Sequence, residues 1–337
     1  MKKISKILII TPAAVAIVLI AVFILQPFFA GNFFRSMPLR IALPRHESAL
    51  VLWVAKDICF FKENGLNVTF TEPDTGAAAL EELQNKKADM AGTSELPFVS
   101  KILAKEDVRV LTYFGKADYM FIIARKDRRI EKIADLRGKK IGIITGTIHV
   151  FYLSRLLGLN GMKMEDIKII NTKTSMEIVT AIIEGKADAV VTAEPFFSKA
   201  KNTLGAKAVY WPAQSSQNLF GLLVSSGKWI KEHPRQVVGL IKSLAQAEDY
   251  IMNNPAGAKA IFQERLKVDN EFTLAAWKRN QFSIGLDQSL IAAMEDEARW
   301  MIKNKLTSAG SVPDFYKFIY TDALKSVKPG SVNILGY

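Results

Sequence analysis

The chain of 337 residues has one cysteine, Cys59, and three histidines, His46, His149 and His233. No internal disulfide can form, and a zinc cluster built on cysteine is excluded. No H-E-x-x-H helix is present, so metal chemistry has no foothold. Strings of five or six clustered cations are also missing, which argues against a nucleic-acid partner. No G-x-S-x-G elbow occurs and no G-x-G-x-x-G follows a strand. The stretch from Gly221 to Gly227-Lys228 resembles a phosphate loop but has five residues between its glycines and Trp229 where Ser or Thr is required. After residue 34 the longest uncharged stretch, Ala208–Gly227, is broken by Pro212 and the polar run Gln214–Asn218, so no second apolar span follows and a polytopic membrane protein is excluded.

What is present is an ordinary globular composition behind an unusual leader. Apolar residues make up 49% and charged ones 23% of the chain. Such values belong to folded soluble proteins. Of the 45 basic residues, Lys2, Lys3, Lys6 and Arg35 fall in the leader, which leaves 41 against 33 acids in residues 36–337. That modest excess suits an anionic ligand or membrane surface. The leader has an uncharged apolar run from Ile7 to Leu25, which continues without charge through Phe34. At about 1.5 Å per residue a helix over Ile7–Leu25 spans a hydrocarbon core. Lysines ahead of it hold the N-terminus in the cytoplasm and place the body outside. Phe28-Phe29-Ala30 is a poor cleavage site, so residues 1–35 read as an uncleaved signal anchor, with a removed signal peptide as the alternative. The absence of a cysteine after the run excludes a lipid-attached protein.

Beyond Leu39, short apolar runs alternate with helical patterns, which predicts α/β lobes with largely parallel sheets. Leu39–Leu43, Leu66–Thr71, Met90–Gly92 and Val108–Tyr113 form one strand series. Lys140–Ile144, Ile167–Ile170, Ala187–Val191 and Ala208–Tyr210 form a second. Tyr119–Ala124 and Leu219–Val224 fall where the chain crosses between lobes. The chain divides into an anchor (1–35), a first lobe (36–120 with 222–337) and a second lobe (121–221). From Pro234 the pattern is helical, ending in a helix expected over Pro313–Lys325, and this tail packs back on the first lobe. Cys59 falls in an apolar helical pattern and is expected in the core.

An internal repeat supports two equivalent lobes. Lys87–Phe98 aligns with Lys186–Phe197 at an offset of 99, with six of twelve positions identical, among them Asp89/Asp188, Thr93/Thr192 and Glu95/Glu194. A period of this length marks a duplicated domain rather than a solenoid. In open α/β sheets ligands sit beyond the carboxyl ends of strands. Those ends supply Arg45, His46, Thr93, Ser94 and Glu95 in the first lobe, and Thr145, Gly146, Thr147, His149 and Glu194 in the second. Tyr119 and Trp211 are stacking candidates. Each polar residue reads equally as a helix cap, a solvated loop residue or a ligand contact. Helix N-termini favour an anion, whereas the glutamates favour an amine, amide or pyrimidine donor.

Several segments carry a family resemblance: Leu39-Arg40-Ile41-Ala42-Leu43; Ala55-Lys56 with Phe60-Phe61-Lys62-Glu63-Asn64-Gly65-Leu66; Ala88-Asp89-Met90-Ala91; Ile133–Gly142, which reads IADLRGKKIG; Ala187-Asp188-Ala189; and Glu194-Pro195. Through them the chain resembles the nitrate/sulfonate/taurine (SsuA-like) and NMT1/THI5-like solute-binding proteins of ABC importers. The resemblance implies a bilobal periplasmic-binding-protein type II fold, two α/β lobes joined by crossover strands, closing on a small molecule without a cofactor or catalysis. It places Thr93, Ser94, Thr145, Gly146, Thr147 and Glu194 in the cleft. The implied partners are an ABC permease and its ATPase, to which a monomeric binding protein delivers a sulfonate, taurine-like or aminopyrimidine-like solute. A membrane-anchored sensor and a pyrimidine-precursor synthase are the alternative readings. The cysteine-rich motif of the eukaryotic synthases is absent.

Overall fold

A computed structural model describes residues 36–145, 147–215 and 217–335. The expected anchor over residues 7–25 and Gly146 lie outside the described residues. Among those described, no helix is long and apolar enough to cross a membrane.

Two sheets carry the architecture. The first contains β1 (Met37–Ala42), β2 (Leu66–Thr71), β3 (Met90–Thr93), β4 (Arg109–Ala117), β10 (Leu219–Ser225) and the short β11 (Asn280–Gln281), in the order β11-β4-β10-β3-β1-β2. The second contains β5 (Met120–Arg125), β6 (Lys140–Ile143), β7 (Lys168–Asn171), β8 (Ala189–Ala193) and β9 (Ala208–Pro212), in the order β7-β6-β8-β5-β9. Each sheet has a parallel core of three, β2-β1-β3 and β7-β6-β8. Each is then extended by antiparallel pairs: β10 on β3 and β4, and β5 on β8 and β9. The sheets are therefore mixed where a largely parallel arrangement was expected. The apolar runs placed at the crossings are themselves strands: the chain changes sheet at Asp118-Tyr119, and again between β9 and β10. Each run then inserts antiparallel beside the parallel core of the sheet it enters.

The repeat is a structural repeat. Asp89 accepts the Arg40 backbone N–H at 2.8 Å and Asp188 accepts that of Lys140 at 2.9 Å, so the same carboxylate ties the strand to its parallel neighbour in both lobes. Thr93 and Thr192 each direct Oγ1 to the carbonyl of the next residue at 3.5 Å.

The helical tail shares one continuous apolar core with the first sheet and its helices, through side chains such as Leu240, Leu244, Phe262, Leu290 and Met294. It also reaches the second lobe: the Trp300 and Phe151 rings are 5.6 Å apart at 81°. Two expectations fail. Cys59 is exposed, with φ of 69° at the joint between α1 (Leu50–Asp57) and α2 (Phe60–Glu63). The apolar pattern runs across a helix break, and the left-handed joint turns the thiol outward. Pro313–Lys325 is a 3-10 turn over Phe315–Phe318 and a short helix over Asp322–Val327. The interruption is extended because the Tyr320 N–H donates to the Val110 carbonyl at 2.9 Å, pinning the segment to β4.

Candidate functional site

At the carboxyl ends of β1, β2 and β3 lies a cleft of about 190 Å³. Its walls are formed by the loop from Leu43 to Ala49, by Asp74-Thr75-Gly76 at the start of α3 (Gly76–Gln84), and by Thr93-Ser94 at the start of α4 (Glu95–Leu103). Phe114, Ala117, Tyr119 and Leu219-Phe220-Gly221 close it, with Ile148 entering from the second lobe at the start of α5 (Ile148–Leu159). The parallel strands end on this side, so their loops and helix N-termini converge there.

The chemistry of the lining is hydroxyl, imidazole and aromatic, with the exposed Arg45 and Asp74 as its charged members. His46 holds its ring in place by accepting at Nδ1 from the Ser48 backbone N–H at 3.4 Å, with Ser48 Oγ at 3.2 Å from the same nitrogen. Its ring centroid is 5.0 Å from that of Tyr119. Burial lowers the His46 pKa to about 4, so the imidazole is neutral at pH 7. Burial also raises the Tyr119 phenol well above its ordinary range, reinforced by the Glu47 and Glu95 carboxylates. Ser94 occupies an N-cap position yet makes no capping side-chain bond, which leaves its hydroxyl for the cleft. Arg45 pairs with Glu72. Gly76 allows α3 to approach closely, since a Cβ there would stand 2.9 Å from the Thr93 Cα.

The structure brings Arg45, His46, Thr93, Ser94 and Tyr119 together on the cleft wall. The other described candidates, Glu95, Thr145, Thr147, His149, Glu194 and Trp211, are not among the residues that line it. Thr145 Oγ1 donates to Asn171 at 2.9 Å. Thr147 caps its helix by accepting the His149 backbone N–H at 3.4 Å, and its Oγ1 also donates to the Ile144 carbonyl at 2.7 Å and lies 2.8 Å from His149 Nδ1. Burial lowers the His149 pKa to about 4. Trp211 sits on the edge strand β9 opposite Ile122. Glu194 accepts from Ser198 N and Oγ at 3.2 and 2.9 Å and faces Arg279 Nη1 at 3.7 Å.

Glu95 turns behind the cleft wall. It is fully buried and accepts the Phe220 backbone N–H at 2.8 Å. Burial raises its pKa to about 8. Glu297 of the tail helix α12 (Gln288–Lys303) is equally buried, and burial together with Glu95 raises its pKa well above the carboxylate range. Glu95 Oε2, both Glu297 oxygens and the Tyr152 hydroxyl have no hydrogen-bond partner among the described residues.

Sequence reasoning missed the Asp74-Thr75-Gly76 loop, although Pro73-Asp74-Thr75-Gly76 between a strand and a helix was a readable signal. Phe114, Phe220 and the Glu297 cluster carried none, since only the insertion of β10 and the return of the tail bring them to the site.

Two α/β lobes with the strand order 2-1-3, an inserted antiparallel strand and a cleft at the strand ends define the periplasmic-binding-protein fold. The *Escherichia coli* periplasmic aliphatic sulphonate binding protein SsuA superposes with a TM-score of 0.74 at 17% identity, over 85% of this chain and 98% of that one. The alkanesulfonate-binding protein SsuA from *Xanthomonas axonopodis* pv. *citri*, bound to MOPS, superposes with 0.67 at 19% identity, over 84% and 98%. The NMT1/THI5 like family model matches residues 47–258, and the chain belongs to that family. A *Brucella abortus* binding protein is 30% identical over 145 residues, covering 41% of this chain and 44% of the relative, so the match spans under half of that protein's length. A *Saccharomyces cerevisiae* 4-amino-5-hydroxymethyl-2-methylpyrimidine phosphate synthase is 23% identical over 244 residues, covering 68% and 71%.

Proposed function

We propose that the protein is an extracytoplasmic solute-binding protein, anchored by Ile7–Leu25, that captures a small uncharged heterocycle of aminopyrimidine type and delivers it to an ABC permease. The observation that carries this reading is that the cleft lining offers no unpaired cation. His46 is uncharged at pH 7, Arg45 pairs with Glu72 at the exposed edge, and the other charged lining residue, Asp74, is an acid; the remaining polar side chains are the hydroxyls of Ser48, Thr75, Thr93, Ser94 and Tyr119. Enclosing a sulfonate there would leave its charge without a dedicated cation, at a cost of several kcal/mol. A flat ring with amine and ring-nitrogen groups can instead stack on Tyr119 and hydrogen-bond to His46, Thr93 and Ser94. Ile148 supplies a contact from the opposite lobe, so ligand stabilises the closed state and makes closure readable by a partner. No lysine is among the lining residues, which favours binding over a synthase requiring a reactive Lys–His pair.

Thermal unfolding with 4-aminopyrimidines, taurine, alkanesulfonates and nitrate tests the reading. At a ligand concentration 100 times Kd, stabilisation of about 2.7 kcal/mol is expected for the aminopyrimidines alone. Stabilisation by sulfonates instead would overturn the ligand class.

A further inference from the structure

The ion pair that spans the lobes leaves its cation half used. Arg279 ends the helix Asn270–Arg279, and the next two residues, Asn280-Gln281 of β11, pair with Ala117 and Lys116 of β4, so the guanidinium is held by the first lobe. Glu194 follows β8 and accepts from Ser198 of the helix Phe196–Leu204, so the carboxylate belongs to the second. Nη1 of Arg279 stands 3.7 Å from Oε1 of Glu194, which permits attraction but no hydrogen bond. Nε and Nη2, the donors on the other edge of the guanidinium, are buried and have no partner among the described residues. That edge is a fork matching the two oxygens of a carboxylate.

An unmet acceptor stands beside it. Asp118 lies between β4 and β5, where the chain first changes sheet, and its backbone N–H donates to the Arg279 carbonyl at 3.0 Å. Oδ1 of its carboxylate is buried with no partner among the described residues. Burial raises the Asp118 carboxyl pKa and the Arg279 charge opposes that rise, so the cation already acts on this group. Glu47 also lies in the field of Arg279, but it accepts from Asn280 Nδ2 at 2.6 Å and is engaged. Buried donors and a buried acceptor on neighbouring groups are each costly to leave unpaired.

From these unmet groups around one guanidinium, we propose that Arg279 is a two-position latch, which holds Glu194 while the lobes are together and turns its free fork to Asp118 when they part. The proposal rests on the lobe closure in the functional reading above. In this structure Ile148 of the second lobe reaches the cleft wall and the guanidinium faces Glu194. A second lobe that swings away carries Glu194 with it, while the backbone bond from Asp118 keeps that residue at Arg279. The lost attraction across the lobes is then replaced by a pair within the first lobe, so the cation is compensated in both states. With the electrostatic cost of opening offset in this way, ligand contacts decide which state is populated.

The test needs no ligand. The full chain in detergent carries one spin label on the exposed Cys59 of the first lobe and a second at Glu165→Cys, an exposed position of the second lobe. Double electron–electron resonance then reads the distance between the lobes. Glu194→Gln, which removes the partner of the closed state, should raise the ratio of longer to shorter distances by about 5-fold. Asp118→Asn, which removes the partner of the open state, should lower that ratio by about the same factor. No shift in Asp118→Asn, or a shift to longer distances, overturns the latch. Should that variant fail to fold, an unshifted distribution in Glu194→Gln does the same. Aminopyrimidines that fail to bind the parent overturn the ligand class alone, since the latch is read from distances measured without them.

Discussion

Arg279, the last residue of the tail helix α11 (Asn270–Arg279), stands 3.7 Å from Glu194 at the end of β8, joining the tail to the second lobe. The Glu194 side chain is 4% exposed and that of Arg279 is 17% exposed, while Nε and Nη2 of Arg279 have no hydrogen-bond partner among the described residues. Asp118, at the crossing between the sheets, donates its backbone N–H to the Arg279 carbonyl at 3.0 Å. The guanidinium thus sits where the tail meets the second lobe, held by charge more than by hydrogen bonds.

Arg279→Ala should destabilise the protein by about 2–4 kcal/mol in urea unfolding, because it leaves the buried Glu194 without its cation. In a double-mutant cycle with Glu194→Gln the coupling should be about 1 kcal/mol or more. A cycle that closes at zero would show that the pair is incidental.

The Glu95–Glu297 pair makes stability depend on pH in a direction opposite to that of an exposed carboxylate. Both groups have folded pKa values above the unfolded one, Glu95 at about 8, so the folded state holds more protons and stability falls as pH rises from about 4.5 to 8. His46 and His149, lowered to about 4, act in the opposite sense: the unfolded state takes up protons first, and stability falls as pH drops from about 6.5 toward 4. The melting temperature should therefore be highest in the range where these windows meet, at about pH 5–6.5. Glu95→Gln should flatten the alkaline side and His46→Gln the acid side. An alkaline limb unchanged in Glu95→Gln would remove this account.

Gly76 couples a glycine to the cleft. A Cβ at this position would lie 2.7 Å from Thr93 Oγ1 and 2.9 Å from its Cα, and the backbone atom cannot rotate away. Gly76→Ala should cost about 1–3 kcal/mol of stability and displace Thr93 from the wall. Gly158→Ala is the control, since a Cβ there meets nothing within 4 Å. Equal melting temperatures for the two variants would refute the close approach.

Within the cleft, Ser94→Ala should weaken aminopyrimidine binding by about 3- to 10-fold, the worth of one hydrogen bond. Tyr119→Ala should weaken it by at least about 10-fold through loss of the ring face. Thr145→Ala, whose hydroxyl bonds Asn171, should change affinity little. Titration calorimetry separates the three. A loss at Thr145 equal to that at Ser94 would move the ligand toward the second lobe.

Much of this could be read along the chain. The limits of β2, of the helix Pro234–Asn253 and of the helix Pro255–Leu266 follow from apolar period, proline at the first turn and capping residues, all of which are local. The twin Lys-Ala-Asp segments were visible because the duplicated strand ends keep the same side chain for the same backbone bond. The family assignment drawn from these motifs agrees with the family model.

What the order of residues left open was which polar groups face one another. Ser94 and Thr147 are alike as N-cap residues, yet one leaves its hydroxyl to the cleft and the other accepts the His149 N–H of its own helix. Glu95 and Glu297 are 202 positions apart and meet only because the tail returns over the first lobe. Local rules fix strands, helices and caps, since their hydrogen bonds close within a few residues or along a periodic face. Charge state and ligand contact are fixed by burial and by long-range neighbours, and both arise only when the two sheets and the tail have packed together.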